Sequence, residues 1–251
     1  MKIGLGLDSL GRTIVVDLAE MPHLLVGGTT GSGKSVFLNA LVAELVCTYL
    51  PEELKLILID PLAVELKQYN PLPHLVGPVV TRSARALQVL NWVVQEIERR
   101  YRQLAQLQAR DIAAYNQKAA TAGQTPLPYL VIVIDNQLDL MLRAPKDLEQ
   151  ALTRIAQKAR GAGIHMVMST VRTQSDTVAG SIKANFPGRV AFKTVTRADS
   201  QLILDAAGAE GLLGGGDMLY KAPNTNQLAR IQSVFASEDE IKRIVRFWYR
   251  G

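Results

Sequence analysis

Gly28, Gly33, Lys34 and Ser35 carry the clearest chemical sense in the chain, within the stretch HLLVGGTTGSGKS over residues 23–35. They satisfy the pattern G-x-x-x-x-G-K-S/T of loops that cradle phosphates. The chemistry requires this order. Glycines let the backbone curl, so that successive N–H groups of Gly28, Thr29, Thr30, Gly31, Ser32 and Gly33 face an anion. Lys34 would set its ammonium against the β- and γ-phosphates, and the Ser35 hydroxyl would ligate Mg²⁺. A helix starting near Gly33 and running on through Val36 would aim its positive dipole end at the same phosphates. A glycine-rich turn that binds nothing is the plainer reading. The context argues against it: a short apolar strand precedes the loop, and an amphipathic helix is expected over 36–50.

Such a loop needs an acidic partner on a neighbouring strand to hold Mg²⁺ through water. Asp135, closing the run YLVIVID, is the candidate, and Asp60, closing LKLILID, is its rival. Where hydrolysing sites of this class usually carry a second carboxylate, the next residue is Asn136. An amide holds a water but cannot take its proton at neutral pH. Glu65 and Asp139 are the nearby carboxylates available to substitute. Hydrolysis is therefore expected to be impaired.

These residues must be positioned by the rest of the 251-residue chain, which is 48% apolar and 20% charged, an ordinary globular composition. No apolar run approaches the roughly 20 residues of a membrane span. The opening MKIGLGLDSLGR lacks the apolar core of a signal peptide. Cys47 is the single cysteine, expected as a buried structural thiol, and a cytoplasmic setting fits. The net charge of +5 is mild support for an anionic partner such as nucleic acid.

A hairpin is expected from 3–7 and 13–16, with strands over 54–60, 129–135, 165–170, 189–193, 217–220 and 228–233. Helices are expected over 36–50, 83–107, 147–159, 179–184, 197–205 and 237–249, with Gly/Pro-rich loops between. The charged run 96–102 reads as a solvated face or a subunit contact. Alternating strands and helices imply an α/β fold: a mostly parallel sheet with helices on both faces, binding its ligand at the carboxyl ends of the strands. We read one domain over 1–251, with a hairpin (1–20), a nucleotide-binding core (21–205) and C-terminal strands and helix (206–251).

With both motifs placed, the chain resembles the FtsK/SpoIIIE family of ATP-driven double-stranded DNA translocases. The segments that carry the likeness are MPHLLVGGTTGSGKSVFLNAL, PEELKLILIDP, EIERRYRQLAQLQARDIAAYNQK, RIAQKARGAGIHMVMST, IKANFPGRVAFKT, DSQLILDAAGAEGLLGGGDMLY and RIQSVF. The resemblance implies a RecA-like P-loop motor lobe that binds ATP and Mg²⁺ and assembles as a hexameric ring around duplex DNA. Arg154 and Arg160 are candidates to reach a neighbouring subunit's nucleotide, Arg160 as an arginine finger. The residues Arg172, Lys183, Arg189 and Arg197 are candidates for DNA backbone contact. The family's membrane-spanning region, second lobe and winged-helix reader have no counterpart here, so coupled translocation by this chain alone is not expected.

Three departures fall at strand ends. The family's DPK is Asp60-Pro61-Leu62, its DEF-A-DL is Asp135-Asn136-Gln137-Leu138-Asp139-Leu140, and its ATQRP is Ser169-Thr170-Val171-Arg172-Thr173. A lysine, the catalytic glutamate and a sensor glutamine are thus replaced by Leu62, Asn136 and Val171. This clustering fits a repurposed or engineered pocket, or an unusual natural branch. The expectation is an ATP-binding motor lobe with impaired hydrolysis. The alternatives are an active DNA-stimulated ATPase, and a non-enzymatic scaffold whose crevice, with Leu62, Gln137, Leu138, Val171 and Thr173, takes another ligand or partner subunit.

Overall fold

Apolar runs of five to seven residues that close on Gly or Asp become strands shielded on both faces, and the sheet is built around them. A computed structural model describes residues 1–136, 145–170 and 183–250. The strands are β1 (Lys2–Asp8), β2 (Thr13–Asp17), β3 (His23–Gly27), β4 (Leu54–Ile59), β5 (Tyr129–Ile134), β6 (Ile164–Thr170), β7 (Gly188–Phe192), β8 (Asp217–Lys221) and β9 (Leu228–Ser233). The helices are α1 (Lys34–Thr48), α2 (Ser83–Gln106), α3 (Ile112–Thr121), α4 (Pro145–Lys158), α5 (Arg197–Leu204) and α6 (Glu238–Arg250). The expected loop over 171–176 and residues 179–182 of an expected helix lie outside the described residues.

All nine strands form one sheet in the order β2-β1-β9-β8-β7-β3-β6-β5-β4. From β7 through β3, β6 and β5 to β4 every pairing is parallel; from β7 through β8, β9 and β1 to β2 every pairing is antiparallel. The sheet is therefore mixed, with β7 as the seam. Parallel neighbours need a helical crossover, whereas the short link between β8 and β9 allows only a hairpin.

Alternation along β3 shows how the faces are covered. Leu24 and Val26 pack with Leu38, Leu41 and Leu45 of α1 and Ile241 of α6, while Leu25 packs with Leu90 and Val93 of α2 and Leu152 of α4. Helices thus cover both faces, as expected for an α/β sheet.

Helix α1 corrects two expectations. It is buried on nearly every side rather than amphipathic, because it packs against β1 and α6 as well as against the parallel strands. Gly4 donates to the Glu44 carboxylate at 2.8 and 2.9 Å, and Trp248 Nε1 donates to the Val46 carbonyl at 3.0 Å. Cys47 is exposed, not a core thiol, because the last turn of α1 runs out from under this cover.

The charged run of α2 is not a plain solvated face either. Glu96 and Arg100 are buried, paired at 2.8 Å, and Arg100 Nη1 donates to the Ala162 carbonyl at 2.9 Å. The pair ties α2 to the turn that enters β6. Helix α3 was not anticipated; it opens on Asp111, whose carboxylate accepts the Ala114 N–H at 2.8 Å. No helix among the described residues is long and apolar enough to cross a membrane.

Candidate phosphate-binding site

Where β3 ends, the backbone can turn back only through glycine. Gly28 has φ +146°, and a Cβ there would lie 2.9 Å from Phe192 Cβ. Gly33 has φ +117°, and its Cβ would lie 2.9 Å from the Gly216 nitrogen. The loop between is held from beneath. Thr29 donates to the Lys193 carbonyl through its N–H (2.9 Å) and its hydroxyl (3.1 Å), and the Ser32 hydroxyl donates to the Thr29 carbonyl at 2.6 Å.

Lys34 is the first residue of α1, so the helix axis aims its N–H groups into the loop. Its side chain is 5% exposed, and Nζ donates to the Thr29 carbonyl at 2.6 Å. Burial pulls the Lys34 pKa down to about 8, while the Asp135 carboxylate works in the opposite direction.

The two rival carboxylates separate cleanly. Asp60 turns its oxygens onto the N–H groups of Ala63, Glu65 and Leu66, at 3.0, 2.9 and 3.0 Å, and so folds the loop after β4. Asp135 instead lines a cavity of about 940 Å³ together with Thr30, Gly31, Gly33, Lys34, Ser35 and Val36. Its Oδ1 accepts the Ser169 hydroxyl at 2.5 Å, and the Ser169 oxygen accepts the Asn136 N–H at 2.9 Å. Burial raises the Asp135 carboxyl above its usual range, against the Ser169 hydrogen bond.

Asn136, at φ +52°, lines the same cavity, as does Glu65. Glu65 accepts from Asn39 Nδ2 at 3.4 Å; burial and then the Asp135 charge raise its pKa. The structure thus brings together the loop, Lys34, Ser35, Val36, Asp135, Asn136 and Glu65. Gly28, Thr29 and Ser32 form the loop's underside rather than the cavity wall.

Other candidates stand apart. Arg154 and Arg160 are exposed, Arg160 in the turn at the amino end of β6, away from the cavity. Lys183 and Arg189 converge, together with Lys221, on the single carboxylate of Asp205, which offsets only part of their charge; Arg197 is exposed at the start of α5. Gln137, Leu138, Asp139, Val171, Arg172 and Thr173 lie outside the described residues.

One wall was not foreseen. Gly215, Gly216, Gln232, Ser233, Val234 and Phe235 face the phosphate loop from the antiparallel half of the sheet. The Gly216 N–H donates to the Ser32 carbonyl at 3.2 Å. The signal in the sequence was the run Gly214-Gly215-Gly216, all with positive φ.

A phosphate-type loop at the carboxyl end of a parallel strand, with an acidic residue closing another, defines the P-loop ATPase class. The solved structure of the pCW3 conjugation coupling protein TcpA, in a monomer form with ATPγS, shares this fold: TM-score 0.85 and 24% identity, over 98% of this chain and 70% of that one. The FtsK/SpoIIIE family model matches residues 1–175, and the chain belongs to that family. It is 49% identical over 249 residues to the DNA translocase FtsK of Leptospira interrogans, and 48% identical over 249 residues to that of Treponema pallidum. These matches cover 98% and 97% of this chain but 26% and 31% of the relatives, so the chain spans less than a third of their length.

Proposed function

We propose that this chain is the ATP-binding lobe of an FtsK-type DNA motor whose hydrolytic step is impaired. One observation carries the reading: a buried lysine ammonium, a serine hydroxyl and a buried carboxylate line one cavity at the carboxyl ends of β3 and β5. The backbone of residues 28–35 would wrap the phosphates, with Lys34 against the β- and γ-phosphates. Ser35 and Asp135 offer the hard oxygen donors that Mg²⁺ takes, Asp135 through water. Mg²⁺ bound there supplies charge neutralisation of the phosphate oxygens.

The impairment rests on Asn136. Ser169 holds its backbone N–H beside Asp135, and an amide in place of a carboxylate supports the reading because it cannot accept the proton of an attacking water. Val171 removes the second polar group. A slow-turnover reading has one observation in its favour: Glu65 lines the same cavity. Family membership supports a ring of copies of this chain around duplex DNA, with Arg160 reaching a neighbour's nucleotide and Arg197 among the backbone-contacting cations. No membrane contact by this chain is included.

ATP titration of the wild type and Lys34→Ala, followed by phosphate release from the wild type and Asn136→Glu with and without duplex DNA, tests this. The expected result is ATP binding lost in Lys34→Ala, little wild-type turnover, and a gain in Asn136→Glu. Turnover by the wild type at motor-like rates would overturn the impairment. Absence of ATP binding would leave the non-enzymatic scaffold.

A further inference from the structure

The phosphate loop sits at the carboxyl end of β7, where the Lys193 carbonyl holds Thr29. The amino end of the same strand gathers positive charge. Arg189, the second residue of β7, has Lys221 at the end of β8 as its antiparallel partner. Like charges directly opposed across two strands repel. Lys183 joins them, and all three converge on one carboxylate. Asp205 accepts from Lys183 Nζ at 2.6 Å, from Lys221 Nζ at 3.5 Å and from Arg189 Nη1. Among the described residues these three cations have no second carboxylate within salt-bridge distance.

Part of that charge has a structural use. Lys183, Arg189 and Lys221 donate to the Gln201, Ile203 and Leu204 carbonyls in the last turn of α5, at 3.5, 3.4 and 3.0 Å respectively. The carboxyl end of a helix carries about half a negative charge. That half charge and the Asp205 carboxylate together leave about one and a half of the three positive charges unmatched. The surplus is not spread in water, since the three side chains are only 20%, 12% and 14% exposed. A cation so withdrawn costs free energy unless an anion joins it.

The anion has a place. Arg189 and Lys221 line a cavity of about 390 Å³ together with Asn224, Thr225 and Asn226, from the turn between β8 and β9. No carboxylate among the described residues lines it. The Thr225 hydroxyl oxygen accepts the Gln227 N–H at 3.0 Å, which leaves the hydroxyl proton to donate. Two cations, a hydroxyl and two amides are donors of the kind a phosphate group takes. Arg189 and Lys221 are recessed, whereas cations that track a duplex stand out into solvent.

We propose that this cavity is a second anion site, which takes a small phosphate dianion, free or as a monoester, on Arg189 and Lys221. A dianion matches the unmatched charge, whereas a nucleic-acid backbone brings one charge per phosphate. The site shares no lining residue with the nucleotide cavity and stands whether or not ATP binds there.

The test is run in a Lys34→Ala background, which weakens the phosphate loop as a competing site. Calorimetric affinity and melting temperature are measured with inorganic phosphate, glycerol phosphate and a duplex oligonucleotide, at an ionic strength held constant with chloride. Adding Lys221→Met should weaken both small phosphates at least about tenfold, the scale of one charge-assisted hydrogen bond, and leave duplex binding unchanged. Without phosphate the same substitution should raise the melting temperature, because it removes a repulsion. Adding Asp205→Asn instead should lower the melting temperature yet tighten phosphate binding, a combination that a purely structural ion cluster would not give. Tighter binding of glycerol phosphate than of inorganic phosphate would assign the site to monoesters, and the reverse order to the free ion. Phosphate affinity indifferent to Lys221→Met would overturn the site. So would a loss confined to the duplex, or a melting temperature lowered by Lys221→Met equally with and without phosphate, which would leave Lys221 as a helix cap.

Discussion

Lys34 is held in a position that costs the fold something. Its ammonium is buried against the Thr29 carbonyl, and its pKa falls from 10.5 to about 8. Below pH 8 the folded protein carries the full burden of that charge, about 3 kcal/mol if taken at 1.36 kcal/mol per unit. Between pH 8 and 10.5 the unfolded chain binds the extra proton, so this contribution to stability improves as pH rises. Lys34→Met should therefore raise the melting temperature at pH 7 by about 6 to 12 °C while abolishing ATP binding, a trade of stability for function. In the wild type, ATP affinity should fall as pH rises above 8. Calorimetric melting and nucleotide titration across pH 6.5–9.5 check both.

Ser169 acts on the opposite side of the cavity. Its hydroxyl is the bond that favours the charged form of Asp135 against burial, and its oxygen also fixes Asn136. Ser169→Ala should push the Asp135 carboxyl further upward. Mg²⁺-dependent ATP binding should then weaken more at pH 6 than at pH 8, which paired titrations would reveal. Equal weakening at both pH values would assign Ser169 a purely structural role.

Elements are joined beneath the sheet by groups that must stay neutral or stay paired. His23 accepts the Met166 N–H on Nδ1 at 3.0 Å and lies 3.1 Å from the Ala156 carbonyl on Nε2, which fixes the tautomer with its proton on Nε2. Burial lowers its pKa to about 3, and that of His165 to about 4. Both lie below the unfolded value near 6.5. Their contribution is therefore full above pH 6.5 and is lost as pH falls toward 4, by up to about 1.4 kcal/mol per pH unit for each group. His165 Nε2 is buried and has no hydrogen-bond partner among the described residues. His165→Phe should flatten the fall in melting temperature between pH 6.5 and 5 without large loss at pH 7.

The α2 ion pair makes a different prediction. Arg100 is 3% exposed and bonded to both Glu96 and the Ala162 carbonyl. Removing Glu96 leaves the Arg100 charge buried without its carboxylate, whereas removing Arg100 leaves Glu96 paired with Arg99, so Glu96→Ala should cost about 3 to 5 kcal/mol in urea denaturation. The Glu96→Met/Arg100→Met double variant should recover much of that loss.

At the scale of the whole molecule, what could be read from the sequence follows the locality of the signal. β3, β4, β5 and β6 were legible because strands buried on both faces need unbroken apolar runs. The phosphate loop and Asp135 were legible because they sit at the ends of those runs. The burial of α1 was not, since it depends on β1 and α6 covering it from both ends of the chain. Helix α3 was missed although Asp111 marked its start. The Phe235 flank was hidden because its place beside the phosphate loop depends on β8 and β9 being carried there by the sheet order, and no local pattern encodes a neighbour about 200 residues away.

That order also makes the N-terminal hairpin a structural cover. β1 pairs with β9, and β2 caps the edge. A variant beginning at residue 21 would leave β9 as an open antiparallel edge. It should elute as aggregate in size-exclusion chromatography where the full chain does not.

The pairing of Leu7 with Gln232 sets a timetable as well. At 5 to 20 residues per second, a ribosome needs about 10 to 45 s to make the chain between them. Throughout that interval β1 has no partner but β2, and the Gly216 brace of the phosphate loop does not exist until nearly the same moment. The cavity can close only once residues 216–233 have been made, so a nascent chain gains its complete ligand site almost at the instant it gains its complete sheet.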